Sequence, residues 1–203
     1  IATHLTEIIR SHAADIISRQ EVSSIIAKVK ENNPVIVDEV LSGDHKFTYG
    51  EIEQVLKNLL AEQVSIRNMV VILETLANFA PITKDPWLLT EKVREALGLQ
   101  ICLQYADDDR VLHVLTIAQP LAQKILEHRV AEPGGKPFVA FDPVDGRNYI
   151  NAMSSTIAAA RSRNIMPIIL CPAEIRQLVK ASTEREIPGL VVLSVNEVVA
   201  AGN

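Results

Sequence analysis

Apolar residues recur at helical spacing through the first half of the chain, which is typical of amphipathic α-helices. The clearest stripe lies between Glu51 and Gln63, where five apolar residues share one face: Ile52, Val55, Leu56, Leu59 and Leu60. Thr48 stands three residues before Glu51, so this pair predicts a capping box at the start of that helix.

Two further helix starts are predicted downstream. Ser65 precedes the apolar run IRNMVVILETLANFA, and Asp85 precedes Pro86, a residue that suits the first position of a helix. The connections between the helical stretches are too short for a simple bundle of long helices. We therefore expect an all-helical domain over residues 1–106, built as an irregular or superhelical stack.

The pattern changes at the polar segment ADDDR, residues 106–110. The apolar, β-branched run VLHVLTIA follows it and predicts a buried strand. Three strands then each run into a proline that opens a helix, at Gln119-Pro120, Asp142-Pro143 and Cys171-Pro172. Strands separated by helices indicate crossover connections. The fold class predicted is therefore mixed α and β: the helical domain is followed, at residues 107–203, by a small α/β domain with a largely parallel sheet of βα repeats.

Composition and charge argue against several classes of function. The 203 residues carry a formal net charge of -5 with dispersed Lys and Arg, whereas a nucleic-acid surface needs a basic stripe. Cys102 and Cys171 lack the spacing of a zinc site or a disulfide scaffold. No apolar run reaches the roughly 18 residues that cross a bilayer. The two separate cysteines fit a reducing cytoplasm. Because the chain starts at Ile1 rather than Met, we expect a piece of a longer protein.

Two short motifs resemble ligand-binding loops but fail in their spacing. The motif GGK at 134–136 lacks the first glycine of a phosphate loop, which would fall on Val130, and has Pro137 where Ser or Thr is needed. The motif DPVDGRN at 142–148 would place the third ligand of a calcium loop on Pro143. We expect an ordinary turn and a helix cap, with no cofactor and no metal.

An alternative function uses the crevice at the carboxyl ends of the strands, where open α/β sheets usually bind ligands. A small-ligand or enzymatic site there would use Gln119, Asp142 and Cys171. Cys171 is the best single candidate, because the start of a helix stabilises a thiolate. The prolines that follow these residues remove backbone donors, and no nucleophile elbow is present. We therefore expect no catalytic residues and no enzyme activity.

Four stretches of the sequence resemble one protein family, the export gate proteins of type III secretion, and within it the flagellar branch. The stretches cover about half of the chain in the same order as in the family: Ala2–Val22, Glu53–Pro86, Leu88–Ile101 and Cys171–Val198. The resemblance implies that the two predicted domains are the third and fourth subdomains of a cytoplasmic region whose full-length protein is anchored in the bacterial inner membrane.

The resemblance also implies partners. Family members form a nine-subunit ring, dock chaperone–substrate complexes for ordered export and meet other export components such as the ATPase complex and the switch protein. Thr3 aligns with a threonine at the edge of the family's chaperone-binding depression, although Thr3 also suits the cap of the first helix. A purely structural ring spacer remains a further alternative. No nucleic acid is implied.

Overall fold

The computed structural model of the protein describes residues 12–202. The chain divides into two compact units, of which the first ends at Leu97 and the second begins at Gly98. The helix Gly98–Tyr105, which the sequence pattern placed in the domain 1–106, thus groups with the second unit. It does so because it packs against the last helix of the chain, Val195–Ala201.

The described part of the first unit is helical. Its elements are α1 (Ala13–Ile16), α2 (Arg19–Asn32), α3 (Pro34–Ser42), α4 (Tyr49–Ala61), α5 (Met69–Phe79) and α6 (Pro86–Ala96). The longer helices meet through apolar side chains that are almost completely buried: Ile26, Ile52, Leu56, Leu59, Ile72, Leu73, Leu76 and Leu89. Each such side chain stabilises the unit by about 1.5–3 kcal/mol.

Helix starts in this unit follow local side-chain chemistry. In the predicted capping box, Glu51 N donates to Thr48 Oγ1 at 3.2 Å and Thr48 N donates to the Glu51 carboxylate at 2.7 Å. Asp85 accepts from the backbone N–H of Trp87 at 2.8 Å, so both of these predictions are confirmed. The start predicted at Ser65 is wrong, since its hydroxyl accepts from Arg67 N in a local turn and α5 begins only at Met69.

The second unit combines helices with short strands. Its elements are α7 (Gly98–Tyr105), β1 (Leu115–Thr116), α8 (Gln119–Glu127), β2 (Arg129–Val130), β3 (Phe138–Val139), α9 (Pro143–Ser162), β4 (Ile168–Cys171), α10 (Ala173–Thr183), β5 (Val191–Ser194) and α11 (Val195–Ala201). Within residues 12–202, no helix is long and apolar enough to pass through a bilayer.

The strands form two sheets. In the larger sheet the order is β1-β4-β5, and both neighbouring pairs are parallel, with Ile168 opposite Val191 and Leu115 opposite Ile169. In the smaller sheet β2 and β3 pair antiparallel, with Arg129 opposite Val139. The predicted fold class, helices followed by a small α/β layer with a largely parallel sheet, is confirmed.

Two details of the strand prediction differ from the structure. The run VLHVLTIA is extended as a strand only at Leu115–Thr116. The run that contains Phe138 does not join the parallel sheet, because the tight turn near Gly134 folds it back onto β2 as a local hairpin.

The outer strand β5 is held by two cations from α10. The Lys180 ammonium donates to Leu190 O at 2.8 Å, and Arg176 Nη1 donates to Val192 O at 3.2 Å. Both side chains are buried, and they stand one helical turn apart. They satisfy polar backbone groups that the surrounding apolar core cannot.

Candidate interaction surfaces

The strand-end residues of the alternative enzyme hypothesis do not meet at one sheet edge. Gln119 opens α8 after β1, and Cys171 ends β4 in the same parallel sheet. Asp142 follows β3, which belongs to the antiparallel sheet. Cys171 is only 1% exposed, and its thiol lies 3.8 Å from Leu193 O as a donor. The structure therefore does not bring these three residues together at one site.

Asp142 caps α9. Its Oδ1 accepts from Val144 N at 2.9 Å and from Asp145 N at 3.1 Å. The backbone N–H groups of Asp145 and Val144 hold the pKa of the Asp142 carboxyl below its usual value, because they stabilise the charged form. The motif DPVDGRN thus forms a capped helix start, as predicted.

The other sequence motifs also have structural partners. The GGK motif lies in the turn between β2 and β3, where Lys136 Nζ pairs with Glu184 at 2.7 Å. Across the residues that the structure describes, no cluster of His, Cys, Asp and Glu has the arrangement needed to hold a metal ion. Thr3, the predicted partner-binding residue, lies outside the described residues.

A surface groove of about 550 Å³ runs between helices of the first unit. One wall comes from the corner between α2 and α3 and from α3 itself, and the other wall comes from α5. The lining residues are Asn32, Asn33, Pro34, Val35, Ile36, Glu39, Val70, Glu74, Ala77 and Asn78. We call this feature the α3–α5 groove; it combines apolar side chains with carboxylates and amides.

Four exposed apolar side chains lie on the packed helices α7 and α11 of the second unit. They are Leu99 and Leu103 on α7 and Val195 and Val199 on α11, each pair one helical turn apart. Val199 is 60% exposed and Leu99 55%. The only charged residue in either helix is Glu197, which is buried, so we call this surface the neutral α7–α11 face.

The two helices of this face approach each other closely at Gly98. A Cβ atom at Gly98 would collide with the carbonyl oxygen of Glu197. The Cys102 thiol lies 3.9 Å from the same carbonyl oxygen, and burial, together with the charge of Glu197, raises the pKa of that thiol. Glu197 also closes a capping box, in which Ser194 N donates to its carboxylate at 2.5 Å.

Comparison with protein families identifies the chain. The model of the FHIPEP family matches residues 1–202, which is nearly the whole sequence. The chain belongs to the FHIPEP family.

Relatives within this family agree. The chain is 40% identical over 198 residues to the flagellar biosynthesis protein FlhA of Borreliella burgdorferi, covering 98% of this chain and 28% of that protein. It is 37% identical over 200 residues to FlhA of Bacillus subtilis, covering 98% of this chain and 29% of that protein. The resemblance to the flagellar branch is confirmed, and the chain spans less than a third of the length of these relatives.

Solved structures share the fold. The CdsV protein of Chlamydia pneumoniae superimposes with a TM-score of 0.85 at 26% identity, covering 97% of this chain and 55% of that one. Nonameric SctV-C from EPEC superimposes with a TM-score of 0.82 at 27% identity, covering 96% of this chain and 57% of that one. A chain in the structure of the C. pneumoniae CdsV and CdsO protein complex superimposes with a TM-score of 0.82 at 25% identity, covering 97% of this chain and 56% of that one.

Neither the α3–α5 groove nor the neutral α7–α11 face was predicted from the sequence. The α3–α5 groove joins segments more than thirty residues apart, so no local motif reports it. A weak signal existed in Asn32-Asn33-Pro34, where a polar break directly precedes the exposed Val35. For the neutral α7–α11 face, the signal was the absence of charge in GLQICLQY, residues 98–105.

Proposed function

We propose that this chain is part of the cytoplasmic region of a flagellar type III export gate, at the cytoplasmic face of the bacterial inner membrane. The observation that carries the proposal is the match of the FHIPEP family over residues 1–202, together with 40% identity to a flagellar FlhA protein. The work of the chain is then the docking and assembly of proteins, with no bond-making chemistry.

Ring assembly is the first part of this role. The nonameric state of SctV-C, a structural neighbour at 27% identity, supports a nine-subunit ring for the full-length protein. Exposed apolar side chains such as Val199, at 60% exposure, also favour a protein that buries part of its surface in an assembly.

Partner docking is the second part. The structure of a CdsV and CdsO complex supports binding of other export components by this fold, such as the ATPase complex. From the family resemblance we propose chaperone–substrate complexes as further partners and Thr3 as a contact residue. The domain division proposed at 106/107 would separate the third subdomain of the family from the fourth.

The proposal is tested by retention of flagellar chaperone–substrate complexes on this chain and on the complete cytoplasmic region. We expect the complete region to retain them, and Thr3→Ala to weaken retention while the neighbouring control Thr6→Ala does not. Retention that is equal for both variants would remove Thr3 from the site. A complete region that retains no export component at all would refute the docking role.

A further inference from the structure

We propose that the α3–α5 groove binds a basic amphipathic helix of a partner protein. This inference rests on the proposed docking function but adds a site and a partner chemistry to it. The groove lies wholly within the first unit and is lined by residues from 32 to 39 and from 70 to 78.

The two walls carry the same order of side chains. On α3, Glu39 follows Val35 by one helical turn, and on α5, Glu74 follows Val70 by one turn. Each wall therefore presents an apolar residue and a carboxylate along one helix face. An amphipathic helix offers the complementary pattern, with apolar and basic residues three to four positions apart.

No ion pair within residues 12–202 neutralises the carboxylates of the groove. Among residues 12–202, neither Glu39 nor Glu74 has an ion-pair partner. Some acidic residues of the same unit are paired instead, as Asp38 meets Lys30 at 2.7 Å and Glu53 meets Lys57 at 2.6 Å. Two uncompensated negative charges in one groove attract a cationic partner and repel an acidic one.

The apolar component supplies an anchor. Val35 is 80% exposed, the highest value among the large apolar side chains of the described residues. Beside it, the amides of Asn32, Asn33 and Asn78 line the groove with both donors and acceptors. A volume of about 550 Å³ lies within the roughly 300–1,000 Å³ of typical binding sites, so it accepts a few side chains of one helix rather than a whole domain.

A second copy of this chain fits the groove less well. Several cations of the first unit are engaged in ion pairs, such as Arg94 with Glu62 at 3.3 Å. In the second unit, Arg147 and Arg161 stand at opposite ends of α9, about 21 Å apart by the helical rise. Arg176 and Lys180 are one turn apart on α10, but both are buried. We therefore favour a partner whose basic residues repeat every turn.

The test measures binding of two synthetic peptides to the full chain by fluorescence anisotropy. Each peptide is about five helical turns long with leucine on one face, and the polar face carries lysine in one and glutamate in the other. We expect binding of the lysine peptide, loss of about tenfold in affinity in Glu39→Gln/Glu74→Gln, and a similar direction of change in Val35→Ser. Binding also weakens when salt rises from about 50 to about 300 mM.

The matched control is Glu132→Gln/Glu174→Gln, which removes the same charge from exposed glutamates of the second unit. If this control weakens binding of the lysine peptide equally, the peptide is attracted to an acidic protein in general, and the groove is not its binding site. Equal binding of the glutamate peptide would overturn the charge argument. Self-association in sedimentation equilibrium that the groove variant abolishes would make a second copy the occupant instead.

These outcomes are separable from those for the proposed function. Intact peptide binding in a chain that retains no export component would refute export docking while leaving the groove as a site for basic helices. Retention of chaperone complexes that is unchanged in Glu39→Gln/Glu74→Gln, combined with no peptide binding, would refute the groove alone.

Discussion

The α3–α5 groove in the first unit and the neutral α7–α11 face in the second unit differ in chemistry and in what supports them. The groove combines Val35 with the carboxylates of Glu39 and Glu74 on two ordinary packed helices. The face has no exposed charge and depends on the close approach of two helices at Gly98. We therefore expect substitutions of the groove residues to leave the fold intact and binding in the groove to weaken as salt rises. For the neutral α7–α11 face we expect little dependence on salt, but a loss of stability when α7 and α11 are forced apart.

The largest loss of stability is expected for Gly98→Ala, which disturbs the close packing of α7 against α11. The new methyl group collides with the carbonyl oxygen of Glu197, and backbone cannot move aside as a flexible side chain can. We expect a loss of about 2–3 kcal/mol in the free energy of unfolding, measured by urea denaturation. The matched control is Gly146→Ala in α9, where the nearest atom to the new methyl, Phe141 Cβ, lies 3.7 Å away. Unchanged stability in Gly98→Ala would contradict the close approach.

A smaller effect is expected for Lys180→Met, which keeps the apolar stem but removes the donor to Leu190 O. The buried carbonyl then loses its partner, and unfolding becomes easier by about 1–2 kcal/mol. Lys124→Met is the control, because Lys124 meets Asp145 at 2.7 Å with its side chain 42% exposed, and we expect a change within about 0.5 kcal/mol. If both variants lose a similar amount of free energy of unfolding, the contact between Lys180 and Leu190 O contributes no more than an exposed ion pair.

Asp142→Asn tests the charge at the start of α9 through its dependence on pH. The pKa of Asp142 in the folded protein is below its ordinary value of 3.8, so its charge stabilises the fold above that pH and the benefit disappears as the pH falls through the folded-state pKa. Asparagine still caps the helix. We expect the melting temperature of the variant to be lower at neutral pH and to converge with that of the wild type in acid. A constant difference at all pH values would contradict this.

The smallest effect on stability is expected for Leu103→Ser/Val199→Ser, because both side chains are already at least half exposed. We expect the free energy of unfolding to change by less than about 0.5 kcal/mol. Retention in hydrophobic interaction chromatography should fall, whereas Glu39→Gln/Glu74→Gln should not reduce it. If the serine variant is retained as strongly as the wild type, the neutral α7–α11 face is not an accessible apolar surface.

Local features of the fold could be predicted because their partners are close in the sequence. Thr48 with Glu51 and Asp85 with its following N–H groups are contained within three residues, so the caps were readable. Ser65 belongs to the same class of signal and failed, because a serine hydroxyl serves a turn as readily as a helix.

Features that depend on distant partners were not predictable in the same way. The apolar run at Phe138 is compatible with either sheet, and only the hairpin turn decides in favour of β2. Nothing in the sequence of helix α7 reveals that it packs on α11. For the same reason the α3–α5 groove, which needs both Glu39 and Glu74, had no signature that a single segment could carry.

The pair of cations on α10 also limits how another protein can attach to the β5 edge of the parallel sheet. Leu193 O faces β4, where it meets the Cys171 thiol, so Leu190 O and Val192 O point to the opposite, outer side of β5. An incoming extended polypeptide would need those two oxygens as acceptors, but Lys180 and Arg176 already hold them. The β5 edge of the sheet is thereby closed to strand addition, so a partner at this edge would have to bind through side chains.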